Sequence, residues 1–237
     1  MGRTSSFTTE KSFDNNKKVS FAHAFGEEAN DLQLRKKQKA QRRELIEVAA
    51  KNLFVEKGFE LASVEEIADL AMVSPATIYN YYGTKDELLL AIVARGEVGV
   101  VQKDREFTKR AATEDPVDLL IEVIMSNIHD TISAITRELW GNVIAYVATT
   151  SDETVTPRYL ETIAGGLGDT ILHVLEAYQV NGKIVSTVDL DFLSQFLTRN
   201  ERIQFLNFIY LREMSITELG EAVREDVTFV LTPLLTE

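Results

Sequence analysis

The sequence predicts an all-α protein. Apolar residues recur with a 3.6-residue period in one segment after another, and no segment alternates convincingly with period two. Most of these segments also begin at a side chain suited to cap a helix. Residues 1–33 are polar, poor in aliphatics and without clear period. They read as a flexible arm, in which Phe13, Phe21 and Phe25 are weakly spaced for an amphipathic piece. From Leu34 the pattern turns helical: Leu45, Ile46, Ala49, Ala50, Leu53 and Phe54 form one stripe, and Gly58 stops it. Ser63 and Glu66 have capping-box spacing and open a short helix with Val64, Ile67, Ala68 and Ala71 inward. Ser74 is a second N-cap, with Pro75 at the first helical position, where a missing N–H costs nothing. Gly83 closes that short helix, and Thr84 with Glu87 opens another from Lys85 to about Lys103.

Further along, Asp115-Pro116 opens a helix to about Thr131, and another runs from Arg137 to Thr149. Thr156-Pro157 opens one ending near Gly182, and Asp189 begins one reaching about Glu213. Ser215 with Glu218 caps the last, which ends near Pro233. Gly165, Gly166 and Gly168 fall inside a helical pattern, where each glycine costs about 1 kcal/mol relative to alanine. They mark a kink, a close helix contact, room for a ligand, or a break in the helix.

The chain has 237 residues and no cysteine, which excludes disulfides and thiolate metal sites. His23, His129 and His173 lie far apart without ligand spacing, so no metal and no cofactor are expected. The sequence offers no nucleophile–base pair and no phosphate loop, and an enzyme is not expected. Absence of a long apolar run or an apolar leader core points away from a membrane and to a cytoplasmic protein. The net charge of −12 is unevenly spread. Residues 1–103 hold fifteen basic and fifteen acidic side chains, and residues 104–237 hold ten and twenty-two. Seven of the basic residues crowd into 35–51. A basic stretch on a neutral first part, joined to an acidic second part, suggests two jobs; a merely solvated helix face is the alternative.

Two short helices over residues 63–82, joined tightly around Met72-Val73, make a helix-turn-helix or a hairpin used only for packing. On a helix starting at Pro75, Ile78 and Tyr82 share the inward face. The other face shows Pro75, Ala76, Thr77, Tyr79, Asn80 and in part Tyr81. Small residues at its leading end permit close approach to a surface. Thr77 offers a methyl to thymine and a hydroxyl to a base edge, while Tyr and Asn side chains donate to phosphates without charge. The helix N-terminus at Ser74 favours phosphate, and Lys85 with Arg42 or Arg43 would supply cationic clamps.

The run "LASVEEIADLAMVSPATIYNYYGTKDELLLAIV", residues 61–93, resembles the DNA-binding domain of TetR/AcrR-type transcriptional regulators. Ser63, Ile67-Ala68, Ala71, Val73-Ser74, Thr77, Tyr79, Tyr81-Tyr82, Lys85 and Glu87-Leu88 carry the likeness, and "LFVEKGFE" at 53–60 adds to it. The resemblance implies a homodimer on a palindromic operator in double-stranded DNA. It places Thr77 on a base, Tyr79, Asn80, Tyr81 and Lys85 near phosphates, and Ser63 or Val64 near the backbone. Pro75 and Ala76 stand where many members have lysine and glycine, and Asn80 where histidine is common. The organisation implied is an arm (1–33), a helix-turn-helix domain (34–83), a connecting helix (84–103) and an effector-binding and dimerisation domain (104–237).

In that last part Met125, His129, Trp140, Tyr146, Ile163, Leu167 and Leu172 are candidates to line an apolar cavity, with His129 or Glu138 as polar tips; ordinary core is the alternative. The final two helices are rich in apolar residues, among them Leu193, Phe196, Leu197, Ile203, Tyr210, Leu219, Val223 and Val227. Such stripes either close a four-helix bundle with a twin subunit or pack within one chain. The function expected is a dimeric repressor released from its operator by a small-molecule effector. The alternative is a DNA-binding regulator without an effector, controlled by a protein partner.

Overall fold

Helix caps and apolar stripes set out the chain as ten α-helices among the described residues. The computed structural model describes the backbone of residues 12–95 and 100–236, without the side chains of 12–32, 95, 100–102, 158 and 161–165. The helices are α1 (Ser12–Lys57), α2 (Val64–Leu70), α3 (Pro75–Tyr82), α4 (Lys85–Arg95), α5 (Val100–Arg110), α6 (Pro116–Ala134), α7 (Arg137–Thr149), α8 (Val155–Val180), α9 (Leu190–Tyr210) and α10 (Ile216–Leu231). A short 3-10 turn, Thr232–Leu234, follows. None of the described helices is long and apolar enough to cross a membrane. The chain divides into two units, residues 1–46 and 47–237, and the boundaries expected at 83 and 103 fall inside the second.

Two sequence expectations are corrected, at the start of α1 and at the start of α8. The helix expected from Leu34 begins at Ser12, because residues 12–33 contain no proline and include the helix formers Ala, Lys and Glu; the side chains of Phe13, Phe21 and Phe25 lie outside the described residues. The helix expected over 85–103 is described as α4 to Arg95 and as α5 from Val100; residues 96–99 lie outside the described residues. Thr156-Pro157 does not start α8. The helix begins at Val155 after Thr154, which makes no side-chain cap, and Pro157 sits in the first turn, where its N–H is not needed.

Elsewhere the local chemistry is as the spacing implies. Ser63 and Glu66 satisfy each other's end of α2, and Ser215 and Glu218 do the same for α10. Ser74 accepts from the Thr77 N–H, Asp115 from Val117 and Asp118, Thr136 from Leu139, and Asp189 from Phe192. The α2–α3 connection has a feature no glycine announces. Met72 takes φ 53°, with the Val73 N–H bonding Ala68 O at 2.9 Å and the Met72 N–H bonding Asp69 O at 3.2 Å. This is a Schellman closure with methionine at the left-handed position, which costs about 1–2 kcal/mol relative to glycine.

The head of the second unit is lashed together by buried and half-buried polar contacts. Tyr82 donates its hydroxyl to Glu47 Oε1 at 2.8 Å in the interior. Lys57 bonds Glu66 at 2.5 Å across the surface, so the lysine is raised and the carboxylate lowered from their ordinary values by each other. Lys85 Nζ donates to the carbonyls of Phe59 (2.7 Å), Ala62 (3.2 Å) and Glu60 (3.4 Å) and lies 4.4 Å from the Phe59 ring centre. Its three protons thus close the α1–α2 connection onto the start of α4.

In the helical body α8 packs most extensively on α9, α6 lies on α10 and α8, and α5 lies on α8. Trp140 is fully buried, donating to Thr131 O at 2.9 Å and meeting Phe205 edge to face at 5.4 Å. Arg110 bridges Glu114 and Glu122, whose carboxyls it holds below their usual range. The glycines of α8 do not break it: the helix is continuous through 165–168. A Cβ on Gly168 would lie 3.4 Å from Thr198 Oγ1, so the missing side chain lets α8 and α9 approach closely.

Lys85→Ala strands three carbonyls at the α1–α2 connection. It is expected to lower stability by about 2 kcal/mol, the range for hydrogen bonds to a charged donor. Urea unfolding at unchanged slope checks this, and an unchanged midpoint would show that the ammonium holds nothing.

Candidate functional site

The outward face of α3 is built by what the helix must hide. Ile78 is 1% and Tyr82 4% exposed, so the remaining sides turn away from the core. Ala76, Tyr79 and Asn80 are exposed, with Pro75, Thr77 and Tyr81 half-buried beside them. Ser74 is exposed at the cap. The Thr77 hydroxyl lies 2.9 Å from Ser74 Oγ, which tethers it to the helix start. Tyr81 sits edge-on to Tyr82, with ring centres 6.2 Å apart. The result is a short, uncharged face with a slender leading end and two large polar side chains behind it.

Other candidates fall differently. Val64 is only 7% exposed, because it is the first inward residue of α2, and its side chain cannot meet a phosphate. Ser63 is half-buried and engaged with Glu66 at 3.2 Å. Lys85 spends its donors on backbone carbonyls, so it acts first as a fastening of the head. Arg42 and Arg43 are exposed on α1 within the first unit, residues 1–46.

A second feature is a cavity of about 610 Å³ in the second unit, walled by residues of α4 to α9. Trp140, Ile144, Val147, Leu160, Leu167 and Phe205 supply apolar wall. Gly166 lines it too, so one glycine of α8 opens space while Gly168 closes the helix contact. Of the sequence candidates Trp140 and Leu167 border this space, whereas Met125, His129, Glu138, Tyr146 and Leu172 do not. The period of α6 decides this. Asn127, Asp130, Thr131 and Ala134 take the cavity face. Met125 turns toward Gly220 of α10, and exposed His129 bonds back to Met125 O at 2.6 Å. Glu138 is exposed in the first turn of α7. The side chain of Ile163 lies outside the described residues. His173 contacts Asp104 at 3.0 Å, which raises its pKa.

Sequence reasoning missed the cavity's polar groups: Glu201, Arg202, Asn127 and Tyr159. Glu201 is 8% exposed, and burial pushes its carboxyl up to about 7 against the opposing pull of Arg202 and a hydrogen bond from Asn127. Burial likewise pushes Tyr159 up to about 12. One signal was present. Leu193, Leu197, Glu201 and Phe205 recur at i, i+4, i+8 and i+12, so a carboxylate occupies a buried stripe.

The raised carboxyl has a consequence for stability. Between about pH 4.5 and 7 the unfolded chain releases the Glu201 proton while the folded chain retains it, so this residue costs stability as pH rises through that window. Glu201→Gln is therefore expected to gain melting temperature relative to the parent on going from pH 5 to pH 8, by at most roughly 3 kcal/mol of stability. Equal pH profiles for the two proteins would contradict the burial argument.

Residues 46–92 match the sequence profile described as "Bacterial regulatory proteins, tetR family". The HTH-type transcriptional activator FasR of Mycolicibacterium smegmatis is 40% identical over 55 residues, which cover 23% of this chain and 25% of FasR. The HTH-type transcriptional regulator UidR of Escherichia coli is 30% identical over 82 residues, 35% of this chain and 40% of UidR. The aligned stretches thus span less than half of these curated relatives. Among solved structures, Thermus thermophilus FadR, a TetR-family repressor in complex with lauroyl-CoA, superposes with a TM-score of 0.64 at 23% identity over 82% of this chain and 96% of that one. The fatty acid degradation regulator FadR of Bacillus halodurans gives 0.57 at 18% identity, covering 78% and 94%. These two likenesses show the fold. The likeness to the tetR family of bacterial regulatory proteins is thus carried by residues 46–92, the helix-turn-helix segment.

Proposed function

We propose that this protein is a dimeric, sequence-specific DNA-binding transcriptional regulator, a repressor that a small molecule in the α4–α9 cavity releases from its operator. The observation that carries the reading is the outward face of α3, where Ala76, Tyr79 and Asn80 are exposed inside the tetR-family segment. A short uncharged helix of this shape suits the major groove, where a bulky or charged leading edge would be held off. Thr77 would present its methyl to a base, and Tyr79, Asn80 and Tyr81 would donate to phosphates. The half-site spacing then follows from the dimer, one helical turn of DNA or a multiple of it.

Dimerisation is supported by α9, which is apolar on two sides. Leu193, Leu197, Phe205 and Phe208 are buried within the chain. Phe192, Phe196, Ile203 and Tyr210 are 61, 42, 56 and 61% exposed, with Phe229 of α10 at 84%. Phe192 and Phe196 stack at 6.5 Å. A second copy of the chain is the occupant we assign to this face, because a four-helix interface buries such stripes in pairs. An effector acts only if it binds the DNA-free state better than the bound one.

Thr77→Ala and Tyr79→Ala are expected to lose operator binding by at least about ten-fold each, the effect of one good base or phosphate contact, while remaining dimeric. Selection of bound DNA from a random pool identifies the operator, and gel-shift titration of the variants on it checks the assignment; unchanged affinity of both would remove α3 from the interface. Phe196→Glu is expected to give a monomer by sedimentation at micromolar concentration. A Phe196→Glu protein that still sediments as a dimer would place the interface elsewhere.

A further inference from the structure

The turn that delivers α3 carries a side chain for which the fold has no use. Met72 holds φ 53°, in the left-handed region, and among the described residues it is the one non-glycine residue that does so. Glycine adopts that conformation freely, and asparagine with less strain than most residues. Methionine has neither property. Its side chain is 86% exposed, so no core contact offsets the strain. Its backbone helps to close α2, through the Met72 N–H on Asp69 O and the Val73 N–H on Ala68 O, but those bonds need no particular side chain. A strained apolar residue held in water, with nothing inside the chain to explain it, directs attention to what covers it from outside.

Met72 lies two residues before Ser74, the exposed N-cap of α3, so the chain holds it within about 8 Å of the helix start. Pro75 and Ala76 beside the cap are short, and the long, unbranched methionine has the reach they lack. We propose that Met72 is a DNA contact, whose thioether arm lies on apolar surface of the major groove: the C5 methyl of a thymine or the C–H face of a deoxyribose. This rests on the reading of α3 as the DNA helix and adds a residue of the preceding turn to it. A phosphate is not the target, because a thioether has no proton to donate to it. The contact fits a helix whose own face is uncharged, since it adds affinity by removing apolar surface from water rather than by releasing counter-ions. The flexible side chain suits the irregular wall of a groove.

Met72→Gly and Met72→Asn test the assignment, because both relieve the backbone. Each is expected to raise the urea midpoint of the full-length protein, so that weaker DNA binding cannot be a folding defect. On the operator that the parent selects from a random pool, each is expected to bind at least about five-fold more weakly in gel-shift titration, the scale of one apolar side chain partly buried. Met72→Leu, apolar and equally strained, stays within about two-fold of the parent. The slope of log affinity against log salt is unchanged, since no phosphate contact is lost. Replacing each operator thymine in turn by deoxyuridine, which lacks only the C5 methyl, distinguishes the two surfaces. A methyl that matters to the parent and not to the Gly variant assigns the thymine; a loss in the variants with no such methyl assigns the sugar. Gly and Asn variants that bind as tightly as the parent overturn the proposal. So does a loss accompanied by a smaller salt slope, which would mean that the head had shifted on its phosphates. A parent that selects no DNA at all removes the reading of α3, and this contact with it.

Discussion

The candidate DNA surface depends on where Tyr82 points. Its hydroxyl is donated to Glu47 in the interior, which satisfies a phenol and a carboxylate that burial would otherwise penalise. With that bond made and Ile78 one turn earlier also hidden, the helical period leaves no choice for Ala76, Tyr79 and Asn80, which must face outward. Lys85 secures the next element by gathering carbonyls from the α1–α2 connection. The outward face of α3 is thus created from the inside, by residues that never reach the surface. The strained Met72 turn is held because α2 and α3 are each anchored on either side of it.

In the helical body the same helices both build the core and leave space within it. Gly168 lets α8 and α9 close on one another, while Gly166, less than one turn away, leaves wall without a side chain. Trp140, braced by Phe205 and by the Thr131 carbonyl, forms a rigid part of that wall. Glu201 occupies a position that the stripe of α9 reserves for an apolar residue, with an energetic cost that a purely structural core has no reason to carry. The outer stripe of α9 carries more aromatic surface than a solvated helix needs. One helix thereby joins the cavity to the face on which a second copy would sit, the arrangement by which ligand and assembly can be coupled.

The likeness to known regulators is uneven along the chain, and physics accounts for the unevenness. The family profile matches only residues 46–92, the segment that includes α2 and α3, where caps, a tight turn and a defined outward face each demand particular residues. The fold likeness extends over most of the chain at low identity, since a helical core accepts many apolar combinations of suitable volume. Solved structures at such identity therefore inform the architecture, while the contents of the cavity are set by this chain's own side chains.

The chain's own order of residues determined the all-α class, the helix starts at Ser63, Ser74, Asp115 and Ser215, and the uncharged face of α3, because caps and a 3.6-residue period act within a few residues of one another. Local reading could not follow a helix through residues of weak period, as at Ser12, nor see that Lys85 is consumed by carbonyls more than twenty residues away. It could not tell which apolar residues border a void and which fill the core. Met125 and Trp140 look alike as candidates, yet one faces α10 and the other the cavity. Only the tertiary structure decided that, along with the burial of Glu201. Both depend on the distance between helices remote in sequence, which no spacing along the chain encodes.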